Sequence, residues 1–191
     1  MKLNRKIIPH TVNPHTVKNK TANRIGGNMP AWFSNKINLL ANLNFYASFE
    51  HPFDSGQAIS LFIPRDHAVL LQGKIYPNCA VKVFVHPHSD EGGDTRHSCP
   101  DVEKTYFAGF TENEDDEGVV QAGGMPQWIQ DEEYYWADLE KDGYVFFMQI
   151  DEALYPDDLV TGSYPFDFGA LYLYCKPSNM CDIVAGFWQN S

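Results

Sequence analysis

Acidic residues are absent from the first 49 positions, and long hydrophobic runs are absent throughout. Those 49 positions hold seven of the 14 Lys and Arg, so the remainder carries 7 bases against all 25 acids, a net charge of −18 within a chain of −11. No apolar stretch approaches the roughly 18 to 20 residues that a membrane-spanning helix needs. Pro9 directly follows Ile7 and Ile8, so the N-terminus also lacks the apolar core of a signal peptide. We therefore expect a cytoplasmic protein with an acidic body that binds neither nucleic acid nor membranes.

Cysteine is scarce, and its spacing matches no metal or redox motif. The four residues, Cys79, Cys99, Cys175 and Cys181, form no C-x-x-C pair. Such a pattern favours reduced thiols in the cytosol over a disulfide framework. A bridge between Cys175 and Cys181, from a strand end to its neighbour, is the alternative.

The common catalytic signatures are also missing. The sequence contains no G-x-S-x-G, no H-E-x-x-H, no P-loop and no G-x-G-x-x-G. Carboxylates are plentiful, but catalytic carboxylates need partly buried settings that move their pKa values apart, and a solvated acidic run does not provide one. We therefore expect a protein without enzymatic activity and without a cofactor.

What the chain does contain is an internal repeat at long spacing. Gly-Gly-Asn-Met-Pro-Ala-Trp-Phe at residues 26–33 is echoed by Gly-Gly-Met-Pro-Gln-Trp-Ile at residues 123–129. Each copy is followed by an aromatic-rich segment ending in an acid, a loop with a Pro-Phe pair, and a second predicted strand. These strands span residues 45–50 and 58–63 in the first copy, and 146–151 and 170–175 in the second.

The repeated motif has the chemistry of a rigid corner. Two glycines allow backbone torsions that are closed to other residues, and the proline fixes the next turn. The tryptophan two positions later is then expected to pack over the corner. We interpret these residues as structural: Gly26, Gly27, Pro30, Trp32, Gly123, Gly124, Pro126 and Trp128.

The remaining pattern predicts a mainly β fold with α+β character and few short helices. Further β-type runs occur at residues 80–86 and 183–188, with Gly, Pro and Asp between strands. Helical turns are predicted only within residues 35–43 and 131–139. Residues 1–24 are polar and basic and predict a tail. The single domain then spans 25–191, with related halves at about 25–75 and 122–191 and an intervening segment at 76–121.

The second motif resembles the signature of a known family. Ala-Gly-Gly-Met-Pro-Gln-Trp-Ile-Gln at residues 122–130, followed by the strand that ends in Met-Gln-Ile-Asp at 148–151, is similar to the YwqG-like domain family. The resemblance covers roughly residues 25–175 and implies a β roll. The first motif departs from the pattern by the insertion of Asn28. Some relatives look like immunity proteins encoded beside bacterial toxins, so the resemblance implies neutralisation of a cognate toxin, and it carries no catalytic residues.

Acidic segments are the main binding candidates. We predict that they form a negative face near the second corner, which would steer a basic protein such as a nuclease toxin and occlude its active site. The alternative is that these loops are merely solvated. The predicted face comprises Glu112, Glu114, Asp115, Asp116, Glu117, Asp131, Glu132, Glu133, Asp157 and Asp158.

Two other interpretations remain open. His86 and His88 lie at a spacing of two, which places them on one face of a strand, and a loop could bring His97 and Cys99 to complete a tetrahedral metal site. Such a site would make the protein a metal-binding module or a metal-dependent enzyme. The third interpretation is an intracellular scaffold that binds another protein through its sheet edges or its basic tail.

Overall fold

Each copy of the repeat forms the centre of a five-stranded antiparallel sheet. The computed structural model describes residues 3–9, 23–67, 74–112 and 117–190. Its strands are β1 (Lys6–Pro9), β2 (Arg24–Ile25), β3 (Leu43–Glu50), β4 (Gln57–Pro64), β5 (Lys82–Pro87), β6 (Thr105–Tyr106), β7 (Gly118–Ala122), β8 (Val145–Asp151), β9 (Ala170–Lys176) and β10 (Asn179–Gln189). The strand order is β5-β4-β3-β2-β6 in the first sheet and β10-β9-β8-β7-β1 in the second. The prediction of a mainly β fold built from two related units is confirmed.

Helical structure is limited to short segments. One α-helix, α1 (Ala137–Lys141), and four 3₁₀ segments, Ala31–Phe33, Ile37–Leu40, Glu133–Tyr135 and Glu152–Leu154, occur in the described part of the chain. The first of these 3₁₀ segments ends the first corner motif, and the third begins four residues after the second motif. No helix among the described residues is long and apolar enough to cross a membrane.

The two sheets share an irregularity at the same place. The register between β3 and β4 shifts between Phe45 and Ala47, and that between β8 and β9 shifts between Phe146 and Met148. The residue inside each bulge accepts a hydrogen bond from the first glycine of its own corner, over 2.8 Å in both halves. Tyr46 and Phe147 therefore occupy equivalent positions.

The halves exchange a strand. β1 precedes the first repeat in the chain but pairs with β7 of the second, while β6 precedes the second repeat but pairs with β2 of the first. Ile7 and Ile8 in β1 are fully buried, and so is Asn23 ahead of β2. The predicted tail is therefore wrong for residues 6–9 and 23–24, which belong to the folded domain, whereas residues 10–22 lie outside the described residues.

This exchange explains the glycine pairs. The chain leading into each exchanged strand crosses the opposite corner so closely that a Cβ on Gly26 would lie 2.6 Å from the carbonyl oxygen of Glu103. A Cβ on Gly123 would meet the carbonyl oxygen of Asn4 in the same way. Both glycines also have positive φ, +70° and +64°, which other residues adopt only at a cost. The motif is a structural corner in both halves.

Each sheet is covered on both faces. The inner faces share one core in which Phe147, Phe166 and Leu171 are fully buried, and β5 and β10 pack against each other at one side. On the outer faces, each corner segment folds back over its own sheet, so that Trp32 covers Phe33 and Phe62, and Trp128 covers Tyr172 and Phe187. Burial from both sides accounts for the nearly continuous apolar sequence of β3, β4 and β9.

All four cysteines are free thiols. Cys175 is buried in β9, whereas Cys181 is exposed in β10, and the backbone register pairs Cys175 with Ile183 instead. The alternative of a Cys175–Cys181 disulfide is therefore not realised. Burial raises the pKa of the Cys79, Cys99 and Cys175 thiols to about 11, so these three are uncharged core residues at neutral pH.

Candidate functional site

The predicted acidic residues are held by different parts of the fold. Glu112 is exposed, and its Oε1 lies 3.9 Å from Nζ of Lys6 in β1. Glu117 precedes β7, and its charge contributes to the raised pKa of Asp151, which burial mainly causes. Glu114, Asp115 and Asp116 lie outside the described residues.

Two acidic groups remain, and they lie on different segments of the fold. Asp157 and Asp158 are exposed and precede Leu159, whose carbonyl oxygen accepts a hydrogen bond from the backbone of Glu103, so they lie beside the approach to β6. The other group, residues 131–133, is exposed on the segment that covers the outer face of the second sheet. Of the predicted acidic residues, only this group directly follows the second corner.

Residues 125–136 are fixed to the sheet by polar and aromatic contacts. Oε1 of Gln189 in β10 accepts hydrogen bonds from the backbone of Ile129 and Gln130, both over 3.1 Å. The indole of Trp128 stacks on that of Trp136, with 4.5 Å between ring centroids. Because the segment is anchored at its middle and its end, its outward side chains have defined positions.

Exposed apolar side chains accompany the acids on this segment. Met125 is 69% exposed, Tyr134 55% and Ile129 37%, which is uncommon for residues of their size. Tyr134 stacks on Tyr135, and a hydrogen bond with Tyr135 raises its pKa to about 12, so its hydroxyl is uncharged at neutral pH. We call the surface formed by Met125, Ile129, Asp131, Glu132, Glu133 and Tyr134 the corner face.

No base in the described part of the chain forms an ion pair with the acids of the corner face. The ion pairs between described residues join Lys6 to Glu112, Arg96 to Asp94 and Lys104 to Glu91. Asp131, Glu132 and Glu133 take part in none of them. The corner face thus combines an unbalanced negative charge with apolar side chains on a rigid support.

The candidate metal ligands are not brought together. His86 is buried in β5, where its ring stacks on Trp32 at 5.1 Å and its two nitrogens bond to Oγ of Ser60 and the carbonyl of Pro87, each at 2.8 Å. Burial lowers its pKa, so it is a neutral core residue. His88 is exposed and bonds to the carbonyl oxygen of Ser55 over 2.9 Å.

The other two members also have structural partners. Nδ1 of His97 donates to the carbonyl oxygen of Leu43 over 2.8 Å, and Cys99 is buried in the core. No group of three or more His, Cys, Asp or Glu able to hold a metal ion occurs in the described ranges. The predicted metal site of His86, His88, His97 and Cys99 is therefore wrong. β5 ends at Pro87, so the ring of His86 is buried in the sheet while His88 is exposed beyond the strand.

A buried carboxyl group that the sequence analysis missed lies between the halves. Glu152 is fully buried, and its Oε2 accepts hydrogen bonds from the backbone of Phe166 at 2.9 Å and Phe168 at 3.2 Å. Tyr46 donates to Oε1 over 3.1 Å and also bonds to the hydroxyl of Tyr155. Burial raises the pKa of Glu152 to about 8. Since all three side chains are closed to solvent, this cluster joins the two sheets and offers no surface for a substrate.

The comparisons with known proteins give no relative. No protein-family model matches the chain, and neither the curated proteins nor the solved structures contain a match. The resemblance to the YwqG-like family therefore remains a hypothesis that depends on the motif residues.

Proposed function

We propose that the protein is a non-enzymatic binding domain that recognises a basic protein through the corner face. The observation that carries this proposal is the combination, on one anchored segment, of three exposed apolar side chains with three exposed acids that form no ion pair with any described residue. Both features lie on the exposed part of the segment, whereas Trp128 and Gln189 attach the segment to the sheet.

The combination suits a protein interface. Aromatic residues and methionine are enriched at the centres of interfaces, where a few desolvated side chains supply most of the binding energy. Tyr134 and Met125 can serve as such anchors. Acids around them would attract a positively charged partner and accelerate its association, an effect that weakens as salt rises.

In its most specific form, the proposal is a cytoplasmic immunity protein of a bacterium that neutralises a cognate toxin by covering its active site. The net charge of −11 supports this form, since a nucleic-acid-cleaving toxin has a basic cleft that an acidic surface can fill. The motif resemblance at residues 122–130 points in the same direction.

The test begins with affinity capture of the tagged chain from its native lysate at low and at high salt. A basic protein that is recovered in stoichiometric amount at low salt is then expressed in a bacterium with and without this chain. Growth inhibition that the chain relieves supports immunity. A captured protein that is not toxic leaves only the binding function, and failure to bind any basic protein contradicts both.

A pair of matched variants tests the placement. Asp131→Ser with Glu133→Ser should slow association with the captured protein about tenfold, because steering charges act mainly on the association rate. Asp157→Ser with Asp158→Ser removes the same charge elsewhere and should change the rate less than twofold. Equal effects would show that only net charge matters and would contradict recognition by the corner face.

A further inference from the structure

A recess lies beside the turn between β3 and β4 and shares no residue with the corner face. It is an open cleft of about 530 Å³, within the range of about 300 to 1,000 Å³ that is typical of ligand sites. Its lining comes from the β3–β4 turn, from Lys6 of the exchanged strand β1, from His88 after β5, and from Phe110 after β6. The cleft therefore exists only because the two halves are interlocked.

Negative charge dominates this cleft. Nζ of Lys6 already donates to the carbonyl oxygen of Pro52 over 2.9 Å and lies 3.9 Å from Oε1 of Glu112. The carboxylate of Glu50 has no hydrogen bond or ion pair with any described residue. Asp54 accepts a single hydrogen bond, from the backbone of Gly56 over 3.1 Å. Two carboxylates in the cleft thus lack a cationic partner.

The histidines of the cleft do not supply that cation. The Nδ1 atom of His51 accepts a hydrogen bond from the backbone of Phe53 over 3.2 Å, while its Nε2 faces the carbonyl oxygen of Met180 at 3.0 Å. This arrangement requires the neutral ring with the proton on Nε2. Burial also lowers the pKa of His51. His88 donates from Nε2 to the carbonyl oxygen of Ser55 and thereby joins β5 to the turn.

The equivalent strand end in the second half contains its own cation. β8 ends at Asp151, as β3 ends at Glu50, and the crevice there has a volume of only about 10 Å³. The guanidinium side chain of Arg5 lines that crevice together with Glu117 and Asp151, and its Nε donates to Gln121 over 3.3 Å. The second half therefore fills the position with an internal arginine. In the first half, the described cation that lines the cleft, Lys6, bonds to the carbonyl oxygen of Pro52 and forms an ion pair with neither Glu50 nor Asp54.

We propose that the open cleft binds a guanidinium group carried on an aliphatic stem. The guanidinium would form a forked, charge-assisted pair with Glu50, with Asp54 as the second carboxylate. Phe110, which is partly buried, provides an apolar face for the stem and for the planar cation. The ring of Phe53 borders the same space and already faces Nζ of Lys6, 5.5 Å from the ring centroid. The group could belong to a free small molecule or to an arginine side chain of a protein. This inference rests on the cleft alone and is independent of the corner face.

The experiment is an NMR titration of the full chain, with amide signals followed by ¹H–¹⁵N correlation. Agmatine represents the free ligand, acetyl-Gly-Arg-Gly-amide represents the protein source, and acetyl-Gly-citrulline-Gly-amide is the uncharged control. We expect saturable shifts at Phe53, Ser55 and Phe110 with at least one of the guanidinium compounds and none with citrulline. Which compound binds more tightly identifies the source.

Two variants and a control make the result specific. Glu50→Gln should weaken binding about tenfold, as the loss of one charged hydrogen-bond partner does. Asp54→Asn, which retains an acceptor for Gly56, should have a smaller effect in the same direction and replaces the first variant if that one unfolds. Asp158→Asn removes one charge elsewhere and should leave binding unchanged.

Three outcomes would overturn the proposal: no saturable shift with either guanidinium compound, equal shifts with citrulline, or equal weakening by Asp158→Asn. Any of these can occur while the corner face still binds its partner. Loss of partner capture by Asp131→Ser with Glu133→Ser, together with unchanged agmatine binding, would support both sites as separate.

Discussion

The two halves have the same backbone plan but opposite chemistry where they meet. Tyr46 in the first bulge reaches the carboxyl group of Glu152, which follows the acid at the end of β8. Phe147 in the second bulge reaches the ring of His51, which follows the acid at the end of β3, with 5.3 Å between centroids. One junction is a buried hydrogen-bonded network and the other is mainly aromatic. A repeated backbone therefore preserves which positions touch, while the side chains at those positions remain free to differ.

The corners show the same principle in a milder form. Arg24 in β2 donates from its guanidinium to the carbonyl oxygens of Gly26, over 2.6 Å, and of Asn28. Gln121 in β7 donates to the carbonyl oxygens of Gly123 over 3.3 Å and of Met125 over 2.6 Å. The charged side chain of Arg24 and the neutral side chain of Gln121 thus donate to equivalent backbone carbonyl oxygens of the two corners. The guanidinium at the first corner is compensated, because Glu91 lies near enough to raise its pKa against the lowering effect of burial.

The largest effect is expected from the corners, where the halves should behave alike. Gly26→Ala and Gly123→Ala each introduce a Cβ against a backbone carbonyl at positive φ, so each should lower the free energy of unfolding by about 3 kcal/mol or more. Gly93→Ala is the matched control, since a Cβ there meets no atom within 4 Å, and its effect should stay within about 0.5 kcal/mol. Urea unfolding measures all three. A tolerated Gly123→Ala would show that the second corner does not need the close approach.

A smaller effect is expected from exchanging the side chains of the two bulges. Tyr46→Phe leaves Tyr155 and one oxygen of Glu152 short of a partner and should cost about 1 to 3 kcal/mol in unfolding free energy. Phe147→Tyr places a hydroxyl beside His51, whose two nitrogens already have partners, and should cost a similar amount. If either substitution left thermal and urea unfolding unchanged, the difference between the polar and the aromatic junction would not contribute to the stability of the fold.

The pH dependence of stability should separate the two junctions further. The pKa of Glu152 is about 8 in the folded protein and about 4.5 when unfolded, so the folded state binds more protons between these values. The stabilisation that comes from protonated Glu152 is complete below pH 4.5 and is lost as pH rises through 8. Between pH 6.5 and 8 the loss should amount to about 1.5 kcal/mol. Glu152→Gln should remove this slope, and a variant that kept the slope would assign it to another group.

The smallest effect on stability is expected at the corner face. Asp131→Ser with Glu133→Ser should change the unfolding free energy by less than about 0.5 kcal/mol, since both side chains are exposed and have no ion pair in the described part of the chain. Thermal unfolding at matched salt checks this. A large loss would show that the acids stabilise the segment and would weaken the case that they serve a partner.

The repeat and the corners were predictable because their signal is local. Two glycines before a proline have few structural interpretations, and they recur with the same downstream pattern. The exchange of strands was not predictable, because Ile7 and Ile8 form too short an apolar run to be distinguished from a tail. β6, at two residues, carries no strand signal at all. Both strands are defined by partners that lie 80 or more positions away in the sequence.

The sequence predicted which types of residue lie on the surface, but not where the fold positions them. Charge composition indicates an acidic surface, yet only the fold shows that residues 131–133 lie on a segment fixed to the outer face of the second sheet, while Asp157 lies beside the approach to β6. Spacing suggested that His86 and His88 share a face, but β5 ends at Pro87, so one ring is buried and the other is exposed. Glu152 was missed because an acid beside another acid reads as surface. The repeat offers one signal that could have found it. When the alignment of the two copies is extended by one residue beyond β3 and β8, Glu152 occupies the position of His51.

The exchange of β1 and β6 also affects what cleavage of the chain between the two halves would do. Two separate copies of a half-length ancestor, each lending its leading strand to the other, would build this same architecture as an interlocked dimer. Neither half is a free-standing module, because either one alone would lack its edge strand and leave its corner glycines uncovered. If the chain were cleaved between the halves, we expect the two fragments to remain associated through the β1–β7 and β2–β6 pairings.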